Sequence, residues 1–158
     1  MRLPESISTA LKPLFDEVPL EQAMGELVVT QGARPDRVSL VERLLEHPAI
    51  RGKETLAAGL WLYIDELDRS HTISQGISSA TGSFWHGIMH RREGDFGNSH
   101  YWFNRTGYHP AMDSIPGYEA HRFVDEVQAH HRKAPSKLIK MQRAEWQALF
   151  EWCASRLS

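Results

Sequence analysis

Residues 54–71, with the sequence ETLAAGLWLYIDELDRSH, decide the fold class of this chain. Large apolar and aromatic side chains recur there at helical spacing, and the pattern ends on a histidine. Positions i, i+4, i+7, i+8, i+11 and i+15 lie on one side of an α-helix, so the stretch predicts a single helix with a core-facing stripe of about four turns. The stripe consists of Leu56, Leu60, Tyr63, Ile64, Leu67 and His71.

The flanking sequence predicts further helices on both sides of this stretch. Pro35 suits a first helical position, and Pro48 ends the apolar pattern that follows it. Asp95 and Gly107 are residue types that cap the two ends of a helix. Prolines 4, 13 and 19 predict one or two short helices near the N-terminus. The remaining pattern predicts helices at 35–47, 84–93, 96–106 and 118–131, a last helix capped by Ser136 with a stripe running to Leu157, and loops at 78–83 and 108–117.

These elements predict an all-α protein. The chain contains no run of strict apolar–polar alternation bounded by hairpin turns, which is the usual sign of a half-buried strand. Internal repeats and shifts in composition are also absent, so nothing marks a second domain. With 158 residues the chain is long enough to close one hydrophobic core. We therefore expect a compact multi-helix bundle forming a single domain over residues 1–158.

Composition and charge exclude several functional classes. The 18 basic and 20 acidic residues give a net charge of −2, which argues against a nucleic-acid-binding protein. Cys153 is the single cysteine, so an internal disulfide is impossible. The N-terminus lacks the basic-then-apolar order of a secretory signal, and the apolar run 56–64 is too short to span a bilayer. The sequence predicts a soluble, cytoplasmic protein with no nucleic-acid or membrane partner, and it leaves the oligomeric state open.

The functional lead is a face of histidines on the predicted helix 84–93. His86, His90 and Glu93 are spaced i, i+4, i+7, which places them on one face of that helix. Histidine transfers protons near neutral pH, and a carboxylate orients the ring when it binds the second nitrogen. We therefore predict His86, His90 and Glu93 as catalytic residues, with Asp68 as an alternative orienting carboxylate.

The same groups offer a second interpretation as metal ligands. Asp68 and His71, spaced i, i+3, add one carboxylate and one imidazole to the set. Zinc, iron and manganese bind such groups, but these spacings match neither the zinc-protease signature nor a di-iron bundle. The prediction is a site without a cofactor. The alternatives are a divalent-metal enzyme using Asp68, His71, His86, His90 and Glu93, or a non-catalytic structural protein in which the same face is a hydrogen-bonded network.

A polar-aromatic stripe on the next predicted helix indicates a small-molecule pocket. Aromatic rings supply contact area and a few polar groups fix a ligand's orientation. We predict a pocket between the segments 56–75, 84–93 and 96–106 for a small polar or anionic ligand. At least one of the adjacent Arg91 and Arg92 is expected to form a surface salt bridge rather than bind that ligand. The predicted ligand contacts are His71, Gln75, Trp85, Asn98, Tyr101, Trp102 and Arg105.

Two segments of the chain resemble a family of all-helical proteins. They are residues 65–75, DELDRSHTISQ, and residues 85–102, WHGIMHRREGDFGNSHYW. The resemblance covers about the middle third of the chain and implies no particular activity. It does imply that the segment containing His71 and Gln75 and the segment containing His86, His90 and Glu93 belong to one feature.

Overall fold

A computed structural model describes residues 1–156 and confirms the all-α fold class. Within these residues the chain forms eight α-helices and two short 3-10 helices, and it forms no strand. One core cluster contains buried residues from the first helix to the last, as expected for a single domain. The helices are α1 Glu5–Glu17, α2 Pro35–Leu45, α3 Glu54–Tyr63, α4 Leu67–Gln75, α5 Ala80–Glu93, α6 Phe96–Thr106, α7 Ala120–His130 and α8 Ser136–Ser155, and the 3-10 helices are Pro110–Ser114 and His131–Lys133.

The helix α5 runs through the centre of the molecule. Every residue from Thr81 to Arg92 is buried, so neither face of this helix is exposed to solvent. The helix starts at Ala80, four residues before the predicted start, because the small residues after Ser79 continue the helix instead of forming a loop. Gly94 ends it in the left-handed conformation, with φ of 85°, and α6 follows with Asp95 as its predicted N-cap.

The predicted helix over residues 54–71 is wrong as a single element, because the structure divides it into α3 and α4. Between them Asp65 has φ of 68°, which no α-helix accommodates. The Arg92 guanidinium lies behind this break, donating to the Leu62 carbonyl at 2.9 Å and to Asp65 Oδ1 at 2.7 Å. A tertiary partner therefore fixes the turn and overrides the local helical pattern.

The two adjacent arginines correct a second expectation. Arg91 and Arg92 are both fully buried and do not form surface salt bridges. Arg91 donates to both oxygens of Glu145 on α8, at 2.6 and 2.9 Å. Arg92 also donates to the Glu26 carbonyl at 3.0 Å. The pair joins α5 to three other parts of the chain and is committed to the fold, which leaves no guanidinium here for an anionic ligand.

Several predicted boundaries also change. Pro13 lies inside α1 instead of ending it, so the N-terminal region contains one regular helix. Ser136 is the first residue of α8 rather than its cap. The helix predicted from residue 118 starts at Ala120, because the Glu119 carboxylate accepts from the backbone N–H of His121 and Arg122. The predicted loop 108–117 contains a 3-10 helix. Leu157, predicted on the last stripe, lies outside the described residues.

The described helices include no candidate membrane span. Among residues 1–156, none of the helices combines the length and the apolar character that a bilayer span requires. The longest, α8, contains 20 residues and buries the polar Gln142 and Glu145.

Candidate functional site

Three imidazoles from α4 and α5 form a cluster, as the sequence predicts. The ring centroids of His71 and His86 are 4.7 Å apart, those of His71 and His90 are 5.4 Å apart, and those of His86 and His90 are 4.8 Å apart. One nitrogen from each ring lies within 4.8 Å of one nitrogen from each of the others. We call these three residues the three-histidine cluster.

The geometry of the cluster follows from the packing of α4 on α5. The i, i+4 spacing on α5 stacks the rings of His86 and His90 at an interplanar angle of 21°. The third ring comes from α4, which is anchored to α3 where the Ser70 hydroxyl donates to the Ala58 carbonyl at 2.8 Å. His71 therefore approaches the pair edge-on, at 86° to His86.

Glu93 contacts only one member of the cluster. Its Oε1 lies 2.7 Å from His90 Nδ1. An ionised carboxylate only accepts hydrogen bonds, so the proton of this contact is on His90 Nδ1. In the neutral ring Nε2 is then unprotonated. Asp95 forms a second group with His90 and Glu93, a proximity that sequence analysis missed because Asp95 was interpreted as a helix cap alone. It is also that cap, accepting from the Asn98 backbone N–H at 3.2 Å.

His86 is the most buried member of the cluster, with 1% of its surface exposed. Its Nδ1 is buried and has no hydrogen-bond partner within the described chain. Burial, together with the neighbouring His90 and His71, lowers the pKa of His86 to about 3. The ring is therefore neutral near pH 7, and one of its nitrogens carries a lone pair.

The predicted aromatic stripe on α6 reaches the cluster through Trp102. Its indole stacks on His86 with the ring centroids 3.7 Å apart and an interplanar angle of 12°. The Arg105 guanidinium lies 5.4 Å from the centroid of the same indole and 5.9 Å from that of Tyr101. Tyr101 itself is 52% exposed and meets Trp102 edge-on. Trp102 is therefore the residue of this stripe that contacts the cluster.

Other predicted site residues lie elsewhere. Trp85 is fully buried in the core, where its ring fills the space beside Gly59, so we correct its predicted ligand contact to a packing role. Gln75 is exposed at the end of α4. Asp68 is exposed and belongs to neither group of potential metal ligands in the described chain. The Asn98 amide donates to Asp95 at 2.7 Å and so supports the α6 cap.

A second histidine pair was not predicted. His100 on α6 and His121 on α7 are 21 residues apart in sequence, yet their Nδ1 atoms lie 2.7 Å apart in the structure. His109, within the predicted loop 108–117, is buried, and its Nε2 lies 2.9 Å from the Thr81 hydroxyl. No periodicity in the sequence links residues on different helices, so the sequence indicated these contacts only in that the residues are histidines.

Comparison of the chain with protein-family models, with curated proteins and with solved structures gives no match. The functional argument therefore depends on the chemistry of the three-histidine cluster and its surroundings.

Proposed function

We propose that the protein is a metal-dependent enzyme in which His71, His86 and His90 bind one divalent transition-metal ion, with zinc as the best fit. The observation that carries this proposal is the convergence of three imidazole nitrogens within 4.8 Å. Neutral imidazole is a good ligand for zinc, and three protein ligands with a fourth position open are typical of catalytic rather than structural zinc sites.

The dimensions of the cluster are near those of a metal site without matching them fully. At a metal–nitrogen distance of about 2.1 Å and tetrahedral angles, two bound nitrogens lie about 3.4 Å apart. The three imidazole nitrogens lie within 4.8 Å of one another, so the rings have to rotate to bring them together around an ion. The unpaired, buried Nδ1 of His86 also has a reason to exist if this residue is a ligand, because a buried polar atom without a partner is otherwise destabilising.

Glu93 supports the proposal although it is not one of the proposed metal ligands. Metal-binding histidines commonly donate their second N–H to a carboxylate, which fixes the tautomer and orients the ring. The 2.7 Å contact between His90 Nδ1 and Glu93 has this geometry and leaves Nε2 available as a ligand atom. A metal bound here supplies Lewis-acid chemistry at its open position.

The second candidate function is metal-free acid–base catalysis by His90. The hydrogen bond from His90 to Glu93 favours it, because the same carboxylate would orient a general base. His86 is a poor participant in that mechanism, since a group with a pKa of about 3 is far from the pH at which proton transfer is efficient. We place this candidate second because it leaves the convergence of His71 and His86 without a role.

Metal analysis of protein purified without an affinity tag tests the proposal. Chelator-treated protein is titrated with zinc by calorimetry and with cobalt by visible absorption, which reports the ligand type. We expect one ion per chain, loss of binding in His71→Ala and His86→Ala, and a decrease in affinity of about 10- to 100-fold in Glu93→Gln.

The matched control is His130→Ala, which removes an exposed histidine at the end of α7. It should bind zinc as the unmodified protein does. Equal zinc affinity in His86→Ala and the unmodified protein, with both folded by circular dichroism, would exclude the three-histidine cluster as the metal site. Failure of the unmodified protein to bind either ion would exclude metal dependence and favour His90 as a general base.

A further inference from the structure

A concave feature lies away from the three-histidine cluster. A groove of about 460 Å³ is formed by the end of α6, the 3-10 helix Pro110–Ser114 and the start of α7. Phe103 and Met112 supply apolar surface, while Tyr108, Asp113, Glu119 and His121 supply polar atoms. A volume of this order accommodates a small organic molecule. None of the cluster histidines lines it.

His121 is held in this groove by a chain of hydrogen bonds. Asp125 Oδ1 lies 2.9 Å from His100 Nε2, and His100 Nδ1 lies 2.7 Å from His121 Nδ1. An ionised carboxylate only accepts, so His100 carries a proton on Nε2, and in its neutral form its Nδ1 accepts from His121. The two rings are nearly parallel, at an interplanar angle of 7°, which suits an N–H···N hydrogen bond in the plane of the rings. His121 Nε2 is then left as a hydrogen-bond acceptor.

The charged groups of the groove are acceptors, and its charge is negative. The described lining contains two carboxylates, Asp113 and Glu119, and no Lys or Arg. Glu119 is occupied in capping α7. One oxygen of Asp113 accepts from the Tyr108 hydroxyl, and the other has no protein partner among the described residues. A ligand that fits this lining brings hydrogen-bond donors, positive charge and an apolar body.

We propose that this groove is a binding site for a small protonated organic amine, whose ammonium group pairs with Asp113 and donates to His121 Nε2, with its apolar part on Phe103 and Met112. His100 and Asp125 are positioning residues that hold His121 in the accepting tautomer. The site shares no residue with the proposed metal site, and either proposal stands if the other fails.

Nuclear magnetic resonance of nitrogen-15-labelled protein tests both the histidine tautomers and the binding of an amine. Chelator is present so that the metal site is empty. At a pH above the titration range of imidazole, we expect His121 to carry its proton on Nδ1 and His100 to carry its proton on Nε2. Benzylammonium is the probe, with benzyl alcohol and benzoate as neutral and anionic analogues of similar shape. Benzylammonium should give saturable shifts confined to the groove and bind about tenfold more tightly than benzyl alcohol.

Variants locate the interaction. Asp113→Asn should weaken benzylammonium binding about tenfold, and Asp125→Asn should weaken it while changing the His121 tautomer. Glu17→Gln, which removes an exposed charge from α1, is the control and should leave affinity unchanged. Benzoate binding as tightly as benzylammonium, absence of saturable shifts with benzylammonium, or a proton on His121 Nε2 in the free protein would each overturn the proposal.

Discussion

Arg91 is a fully buried cation, and the fold depends on the carboxylate that pairs with it. Its guanidinium is fully buried and forms two hydrogen bonds with the equally buried Glu145. The Tyr118 hydroxyl donates to the same carboxylate at 2.6 Å. Such a pair contributes little compared with an apolar pair of equal volume, but removing one partner leaves an uncompensated buried charge.

Glu145→Gln should therefore destabilise the protein by about 3–5 kcal/mol, because it leaves Arg91 buried without its counter-charge. The double variant Arg91→Met/Glu145→Leu should be distinctly more stable than Glu145→Gln, since it removes both charges. Urea unfolding measures both. Asp16→Asn, which breaks the exposed pair with Lys12, serves as a control and should change the midpoint little. A double variant less stable than Glu145→Gln would contradict this account.

Buried neutral histidines should make the fold sensitive to acid. Burial lowers the pKa of His109, and burial with the neighbouring histidines lowers that of His86 to about 3 from an ordinary value of 6.5. Below about pH 6.5 the unfolded chain binds protons at these residues that the folded chain does not, so the free energy of unfolding decreases as the pH falls. The contribution is present in full above that pH.

Urea unfolding at about pH 7 and about pH 5, with chelator present, checks this dependence. His109→Asn retains an acceptor for the Ala111 N–H and should lose less stability on acidification than the unmodified protein. His47→Gln alters an exposed histidine and should keep the full dependence. An identical acid response in His109→Asn would show that His109 does not contribute.

At the scale of elements, close contacts between helices depend on small residues. Gly59 on α3 lies where a Cβ atom would come within 2.8 Å of the Trp85 ring on α5 and 3.0 Å of the Phe150 ring on α8. Both rings are fully buried. The carbonyl of the same glycine accepts from Trp146 Nε1 at 2.8 Å. Three helices therefore meet at this position.

Gly59→Ala should destabilise the protein by about 1–3 kcal/mol through overpacking, even though alanine favours helix more than glycine does. Gly97→Ala is the matched control on α6, where nothing lies within 4 Å of the added Cβ. It should be neutral or stabilising by up to about 1 kcal/mol. Thermal unfolding compares the two. If the two variants melt at the same temperature, the contact at Gly59 tolerates a methyl group and the packing argument is wrong.

At the scale of the whole molecule, the main core runs from α1 to α8, and a smaller hydrophobic cluster contains Leu27, Phe123, Val127 and Leu138. Trp146 lies within the main core at 1% exposure, stacked on Phe150 with the ring centroids 4.6 Å apart. The same indole contacts Tyr63 at 4.7 Å, so it links the last helix to α3. Because the core is continuous, damage at this position should reduce the stability of the entire chain.

Trp146→Ala should reduce the free energy of unfolding by about 3–5 kcal/mol through the cavity that it leaves. Unfolding should remain a single transition by circular dichroism, as expected of one cooperative domain. Tyr101→Ala, at a half-exposed position on α6, should have little effect. A Trp146→Ala protein that unfolds in two separated steps would show that α8 is not part of a common core.

The sequence by itself determined the fold class and parts of the site. Periodicity is a local property, so it predicted α6 with both of its ends and placed His86, His90 and Glu93 on one helical face. The nearness of His71 to that face was a prediction that spacing alone could not secure, because His71 lies on a different helix and reaches the pair only where α4 packs on α5.

Tertiary structure decided what local periodicity does not encode. The break at Asp65 depends on Arg92, which is 27 residues away, and the burial of Arg91 depends on a carboxylate 54 residues away. The pairing of His100 with His121 likewise requires α6 and α7 to pack together. These contacts join groups distant in sequence, and leaving one of their buried charges unpaired costs more than the small local preferences that a sequence pattern reports.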